Sequence, residues 1–169
     1  MAKYLVTGRA ASGKSAVTEE LQRRGITVFD TDAITGLSGW RNIKTDEPVL
    51  VDDNTYVDLD TLAWVWNKKV LFDFIREKDN LFICCGADND FDFEAYFDEH
   101  FVLAVTPTTQ ISRLRSRSKN DYGKDFRMFP MIIEKQRVHV ENAKLHNAII
   151  INAEQPIKAV VDTIMSHLQ

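Results

Sequence analysis

The sequence predicts an α/β fold in which a parallel sheet carries helices on both faces. Short apolar runs of strand length alternate with longer segments of helical period, as parallel β-α-β units require. A glycine-containing loop also joins the first apolar run directly to the first helical segment. We predict strands at residues 3–7, 26–29, 81–85, 101–105 and 148–151, and helices at 16–24, 59–77, 108–118, 130–145 and beyond Pro156.

The segment between the second and third strands has a weaker pattern. Glycines and a proline break residues 33–48 into a predicted loop, and residues 49–57 suggest a small hairpin. Asp58 can cap the helix predicted over 59–77, whose apolar side chains recur at helical spacing. Trp66 falls on the buried face of that helix, which predicts a core position.

The composition is that of an ordinary globular protein. A chain of 169 residues suits one domain with a core and is too short for two comfortable ones. No apolar run approaches the length that spans a bilayer, and the formal net charge of −4 gives no general attraction to nucleic acid or anionic membranes. The first strand follows Met1 with no leader ahead of it. We therefore expect a cytoplasmic monomer or homodimer with a small-molecule partner.

The two cysteines, Cys84 and Cys85, are adjacent within a predicted strand. Their side chains then point to opposite faces, which favours two buried core thiols over a disulfide or a metal pair. The four histidines have no metal-ligand spacing with a cysteine or a carboxylate, so no zinc site is predicted.

Residues 8–15 fit the G-x-x-x-x-G-K-[ST] phosphate-binding pattern at every fixed position. Glycines at both ends let the backbone form a concave nest of N–H groups, and the following helix turns its positive end toward the same anion. Lys14 adds a charge for the outer phosphates, and Ser15 offers a hydroxyl to magnesium. The predicted nucleotide-binding residues of this loop are Gly8, Arg9, Ala10, Ala11, Ser12, Gly13, Lys14, Ser15 and Ala16.

Polar residues follow the predicted strands at their carboxyl ends, where an open parallel sheet binds its ligands. Asp30 and Asp32 come after the second strand, and Gly86 and Asp88 after the third. A carboxylate facing the γ-phosphate can take the proton from an attacking hydroxyl. The alternatives are a turn cap for the first two aspartates and a plain loop residue for Asp88. Trp40, in the predicted loop, is a candidate for stacking on a planar base or sugar face.

These features, in this order, resemble the nucleoside monophosphate kinase and shikimate kinase branch of the P-loop fold. The resemblance rests on the phosphate loop, the Asp-x-Asp after the second strand, the glycine after the third, and the basic run Arg113–Arg117 before a short polar segment. It covers nearly the whole chain in order of elements. It implies a three-layer fold with a five-stranded parallel sheet, an acceptor-binding insertion at about 33–80, a small lid at about 118–128, and ATP with Mg²⁺ as cofactors.

The resemblance also implies roles for single residues. Arg113 matches the arginine that packs over adenine, and Arg117, on the same helical face, matches the one that reaches the transferring phosphate. A solvated basic helix face is the alternative. The turn ending at Pro156 resembles the loop that holds the adenine edge. The remaining assignments are metal binding by Ser15 and Asp30, acceptor binding by Asp32, Trp40, Gly86 and Asp88, and catalysis by Lys14, Asp30, Asp32 and Arg117.

Three features bear on the acceptor. Monophosphate kinases carry Asp-Gly-Phe-Pro-Arg after the third strand, whereas this chain has Cys-Gly-Ala-Asp-Asn and lacks the arginine that binds the acceptor phosphate. Residues 30–80 also hold eleven acidic and six basic side chains, a poor surround for a dianionic acceptor. The three consecutive glycines of shikimate kinase are missing too.

The sequence therefore predicts an ATP-dependent kinase acting on a small hydroxyl-bearing or nucleoside-like acceptor. A nucleoside monophosphate kinase is the alternative within the same class. A nucleotide-dependent switch or assembly protein, which binds ATP without phosphorylating a metabolite, is the alternative from another class. The choice between ATP and GTP stays open.

Overall fold

A computed structural model describes residues 2–52, 55–118 and 121–168. Five of its strands form one parallel sheet in the order β2-β5-β1-β6-β7, with β1 at the centre. The strands, in chain order, are β1 (Lys3–Thr7), β2 (Val28–Asp30), β3 (Ser38–Asn42), β4 (Leu62–Trp66), β5 (Leu81–Cys84), β6 (Glu99–Ala104) and β7 (Ile149–Asn152). The predicted five-stranded parallel sheet is confirmed.

Helices cover both faces of this sheet. They are α1 (Lys14–Arg23), α2 (Lys68–Ile75), α3 (Pro107–Arg115), α4 (Phe129–Leu145) and α5 (Ile157–Ser166). Alternation along the central strand separates two cores, because Val6 packs with α1 and α5 residues whereas Leu5 packs with α2 residues. A third cluster joins Leu114 of α3 to Met128, just before α4, and to Ile132 within it.

The segment between β2 and β5 differs most from the sequence-based expectation. The predicted loop over 33–48 contains strand β3, which pairs with β4 in an antiparallel hairpin. The predicted helix over 59–77 is wrong in its first half, because residues 62–66 form β4 and only α2 is helical. Trp66 is buried as predicted, at 3% exposure, but it lies on a strand.

The local capping explains this difference. The Asp58 side chain accepts from Asp60 N at 3.0 Å and stabilises a turn, so it does not start a helix. Asn67 is the cap instead, and its side chain accepts from Lys69 N at 3.0 Å and Val70 N at 3.2 Å. The run Leu62–Trp66 also alternates large side chains with a period of two, which suits a hairpin strand as well as a helix face.

Among the described residues 49–52 and 55–57, the strand pairing of the predicted hairpin is not formed. Val49 N donates to Trp40 O at 2.9 Å, so this segment continues beside β3. Asp53 and Asn54 lie outside the described residues, as do residues 119 and 120 of the predicted lid. The described part of that lid leads through a 3₁₀ turn, Phe126–Met128, into α4.

Cys84 and Cys85 are both buried and free, as predicted. Within the described ranges, the helices are all too short or too polar to cross a membrane.

Candidate active site

The phosphate loop connects β1 to α1 through a sharp turn. Ser12 N donates to Arg9 O at 3.1 Å, and Gly13 has a φ of +109°, a left-handed value that favours glycine. The first bond of the helical ladder runs from Val17 N to Gly13 O. The amides of the first turn therefore have no carbonyl within the helix to bond, which leaves them to an anion.

Lys14 and Ser15 open α1 and line the cavity above this loop. Lys14 Nζ donates to the Arg9 carbonyl at 2.9 Å, and burial lowers the pKa of this amine. Thr18 lies one turn further on and returns a hydrogen bond to Lys14 O at 3.1 Å. The Lys14 amine is therefore held against the loop itself.

Helix α3 supports the outer side of the loop. Gln110 Nε2 donates to Ala10 O at 2.8 Å. Arg113 donates to Ser12 O at 3.1 Å and to Ala153 O at 2.8 Å, so its guanidinium ties the loop to the turn after β7. Contact of Arg113 with adenine stays a prediction. Pro156 is exposed at the start of α5 and does not line the cavity.

One cavity of about 510 Å³ joins the phosphate loop to the predicted acceptor side. Of the predicted site residues, it brings together part of the loop, both aspartates after β2, the segment after β5, the hairpin tryptophan and the arginine that follows α3. These lining residues are Gly8, Arg9, Ala10, Lys14, Ser15, Asp30, Asp32, Trp40, Gly86, Asp88 and Arg117. The predicted loop residues Ala11, Ser12, Gly13 and Ala16 lie outside this lining.

Asp30, Asp32 and Cys85 place their ligand atoms within 4.8 Å of one another. The Asp30 carboxylate accepts from Asp32 N at 2.9 Å, which fixes it at the end of β2. Partial burial and then the neighbouring Asp30 charge raise the pKa of Asp32, while hydrogen bonds from Cys85 and Trp64 oppose that shift. Burial raises the pKa of Cys85 to about 12. Carboxylate oxygens beside the Ser15 hydroxyl are a donor set that suits Mg²⁺.

The hairpin supplies an aromatic wall. Trp40 of β3 and Trp64 of β4 pack edge to face with centroids 5.2 Å apart, and the Tyr122 ring lies 5.9 Å from Trp40. Apolar side chains complete this wall, namely those of Val49, Leu50, Val51, Leu59 and Ile132. Such a surface binds a planar or apolar group and offers little to a phosphate.

Asp88 lies between the hairpin and α4. It accepts from Trp64 N at 2.9 Å and pairs with Lys135 Nζ at 2.8 Å. The preceding Gly86 contacts the phosphate loop so closely that a Cβ would lie 2.6 Å from Gly8 O. The turn after β5 therefore contacts both the hairpin and the phosphate loop.

Arg117 follows α3 and lines the same cavity. Its Nη1 donates to Tyr122 O at 2.8 Å, so the guanidinium lies under the described part of the predicted lid. Burial lowers the pKa of Arg117, which remains charged at any physiological pH.

Sequence reasoning missed several residues that support the site, namely Trp64, Gln110, Lys135, Gln136 and His139. Their side chains come from elements far from the motifs along the chain. The alternation of aromatic residues in β4 could have indicated Trp64. The other four residues are single polar side chains on helices α3 and α4, and no sequence pattern marks them as part of a site.

Comparisons with known proteins agree with this architecture. A family model described as an AAA domain, AAA_18, matches residues 5–142. A search of curated proteins found no match. Deoxyadenosine kinase from M. mycoides with bound dATP has a TM-score of 0.59 at 17% identity, covering 99% of each chain. Shikimate kinase from Bacteroides thetaiotaomicron has a TM-score of 0.58 at 16% identity, covering 99% of this chain and 98% of that one.

A gluconokinase from Sinorhizobium meliloti 1021 is also similar, with a TM-score of 0.56 at 14% identity, covering 99% of this chain and 91% of that one. At these identities the likeness establishes a shared fold. The resemblance to small-molecule P-loop kinases that the sequence suggested is confirmed at that level.

Proposed function

The chain belongs to the AAA_18 family of P-loop domains, and on that basis we propose that it is an ATP- and Mg²⁺-dependent small-molecule kinase. The observation that carries the proposal is a single cavity that runs from the phosphate loop, past Asp30 and Asp32, to an aromatic wall. Phosphoryl transfer needs a held phosphate chain and an aligned acceptor hydroxyl more than it needs covalent chemistry from the protein.

The loop side binds the nucleotide in this account. The first-turn amides and Lys14 hold the β- and γ-phosphates, and the base is assigned to Arg113, whose guanidinium already bonds Ser12 O and Ala153 O. Ser15 and Asp30 would hold the magnesium ion, which supplies positive charge to the phosphate oxygens. Arg117 adds a second positive charge to the same cavity.

Asp32 is the carboxylate best placed to meet the acceptor hydroxyl. Asp30 already caps the turn after β2, and Asp88 is held by Lys135 and by Trp64 N. Asp32 is exposed to the cavity at the same strand end. It can orient the acceptor hydroxyl and accept its proton as the phosphoryl group transfers.

The charges of the cavity favour an acceptor without a phosphate or carboxylate. Among the described residues, each cation that lines the cavity has a protein partner: Lys14 bonds the Arg9 carbonyl, Arg9 bonds Ala87 O, Lys135 pairs with Asp88, and Arg117 bonds Tyr122 O. An anionic acceptor would compete with the nucleotide phosphates for Lys14 and Arg117, and it would lie near the carboxylates of Asp30 and Asp32 in the same cavity. The aromatic wall instead favours a neutral acceptor with a planar ring and a hydroxyl, such as a nucleoside.

Two segments complete the proposed catalytic cycle. The acceptor-binding insertion, residues 33–80, supplies the hairpin with Trp40 and Trp64. The lid, residues 118–128, closes over the transferring phosphate and excludes water, which limits wasteful ATP hydrolysis. Both segments belong to one domain in this proposal.

A coupled assay of ADP formation tests the function. Nucleosides and neutral polyols are compared with nucleoside monophosphates, shikimate and gluconate, each with ATP and Mg²⁺. Stimulation by a neutral hydroxyl compound supports the proposal, and stimulation by a monophosphate alone assigns the chain to the monophosphate kinases. Stimulation by a protein or RNA, with none by any metabolite, would identify a nucleotide-dependent switch instead.

A further inference from the structure

Arg9, the second residue of the phosphate loop, lines the cavity, and its guanidinium contacts the turn after β5 and helix α4. The side chain is 13% exposed. Its Nη1 donates to Ala87 O at 2.7 Å, and its Nη2 lies 2.9 Å from His139 Nδ1. The carboxylates of Asp88 and Asp90 are each 3.8 Å away, beyond hydrogen-bond distance. The loop is thus anchored inward by a guanidinium.

The Arg9 contact fixes the tautomer of His139. A guanidinium is always a donor, so His139 Nδ1 must accept and the proton of the neutral ring must lie on Nε2. Nε2–H then donates to Thr7 Oγ1 at 3.1 Å, and the Thr7 hydroxyl lies 2.7 Å from His100 Nε2. Burial and then the charge of Arg9 lower the pKa of His139 to about 2, which agrees with a neutral ring.

The backbone of Arg9 is held as firmly as its side chain. Its N–H donates to Gln136 Oε1 at 3.1 Å, and its carbonyl accepts from Ser12 N at 3.1 Å and Lys14 Nζ at 2.9 Å. Gln136 and His139 lie three residues apart on α4 and therefore share a helix face. Helix α4 therefore holds Arg9 twice, through Gln136 on its backbone and through His139 on its side chain. Because Lys14 Nζ bonds the Arg9 carbonyl, the position of that carbonyl also sets the position of Lys14.

We propose that His139 is a positioning residue for nucleotide binding, which acts by accepting a hydrogen bond from Arg9 and so holds the phosphate loop in its anion-binding shape. The proposal rests on the proposed function, since it concerns the same loop. His139 lies behind the loop at 1% exposure and does not line the cavity, so it acts through Arg9 and touches no substrate.

Two amide substitutions separate this role from a purely structural one. Asn carries its polar atoms near the position of Nδ1 and can still accept from Arg9, whereas Gln carries them near Nε2 and keeps the Thr7 contact. Asn also leaves the larger void. A structural role predicts that His139→Asn is the more harmful change, whereas the positioning role predicts weaker nucleotide binding in His139→Gln.

The readout is the Kd for Mg²⁺-ADP, measured by calorimetry on the full chain. We expect His139→Asn to stay within about threefold of the unchanged protein and His139→Gln to bind about 10- to 100-fold more weakly, the range for losing a hydrogen bond to a charged group. Val138→Ala, on an exposed neighbour in α4, is the control and should bind normally. Equal binding by the Gln variant and the unchanged protein would overturn the proposal.

A second measurement does not depend on how the variants fold. Nitrogen NMR of the unchanged protein reports which ring nitrogen of His139 carries the proton. A neutral ring protonated at Nε2 near neutral pH is expected, and a proton on Nδ1 contradicts the Arg9 contact. If the unchanged protein binds no Mg²⁺-ADP, the proposed function itself fails. If it binds and the Gln variant binds equally, only the role of His139 fails.

Discussion

Three carboxylates at the carboxyl ends of the strands differ in what already contacts them. Asp30 is engaged with the backbone of its own turn, and Asp88 with a lysine and the hairpin backbone. Asp32 lines the cavity, and the hydrogen bonds to its carboxylate come from the side chains of Cys85 and Trp64, which line the cavity too. The sequence predicted all three as candidates but could not rank them, because their partners come from α4 and β4, distant along the chain.

Asp32→Asn tests whether Asp32 is the carboxylate that accepts the proton of the acceptor hydroxyl. The change keeps the size of the side chain and removes the proton acceptor, so kcat for acceptor phosphorylation should fall by about 10²- to 10⁴-fold. The KM for ATP should stay within about threefold, because the phosphates are held elsewhere. Asp79→Asn, at an exposed site, serves as the matched control. A kcat unchanged in Asp32→Asn removes this residue from the mechanism.

Asp90 is a buried carboxylate that makes the stability of the fold depend on pH. It is fully buried, and neither side-chain oxygen has a hydrogen-bond partner among the described residues. Burial raises its pKa to about 6, against the opposing charge of Arg9. The folded protein therefore keeps this proton at a pH where the unfolded chain, with a pKa near 4, has lost it.

The sign of the pH effect follows from that shift. Between about pH 4 and pH 6 the unfolded chain binds fewer protons at this site, so Asp90 destabilises the fold increasingly as the pH rises, by roughly 1–3 kcal/mol in all. Asp90→Asn removes the titration. The unfolding free energy of the variant minus that of the unchanged protein should therefore rise from about pH 4 to about pH 7. Urea unfolding at both ends of this range measures it, and a flat difference contradicts the assignment.

At the scale of elements, the hairpin β3-β4 shows a segment in which the sequence pattern cannot distinguish a strand from a helix. Leu62, Trp64 and Trp66 alternate as a strand does, yet leucine, alanine and tryptophan in this run also fit a helix face. Pairing with Ser38–Asn42 decides between the two, and that partner lies about twenty residues earlier in a segment broken by glycines. The central sheet was predictable because each of its strands is a short buried run beside a clear turn.

The contact between the turn after β5 and the phosphate loop gives an element-scale prediction. In Gly86→Ala the new methyl group would meet backbone at Gly8 O, so the loop must shift. We expect a loss of roughly 1–3 kcal/mol in unfolding free energy and at least about tenfold weaker binding of Mg²⁺-ADP. Gly39→Ala has no atom within 4 Å of the added carbon and is the stability control. If Gly86→Ala binds Mg²⁺-ADP as tightly as the unchanged protein, the turn after β5 does not control the shape of the phosphate loop.

At the scale of the whole molecule, the parallel sheet sets which parts of the site meet. The carboxyl ends of β1, β2 and β5 converge on one cavity, which is why the motifs after each strand could be assigned to one place from sequence. The aromatic wall and the α4 contacts could not be predicted in this way. They depend on tertiary packing of an inserted hairpin and on single polar side chains, which have no local pattern.

The most direct test of the central claim follows the labelled γ-phosphate of ATP in the presence of a neutral, ring-bearing hydroxyl compound that stimulates ADP formation. We expect label to pass from Mg²⁺-ATP to the acceptor hydroxyl, one phosphate for each ADP formed, and we expect Lys14→Ala to abolish the transfer while its fold is kept. Label released only as inorganic phosphate, or equal transfer by Lys14→Ala, would contradict the account.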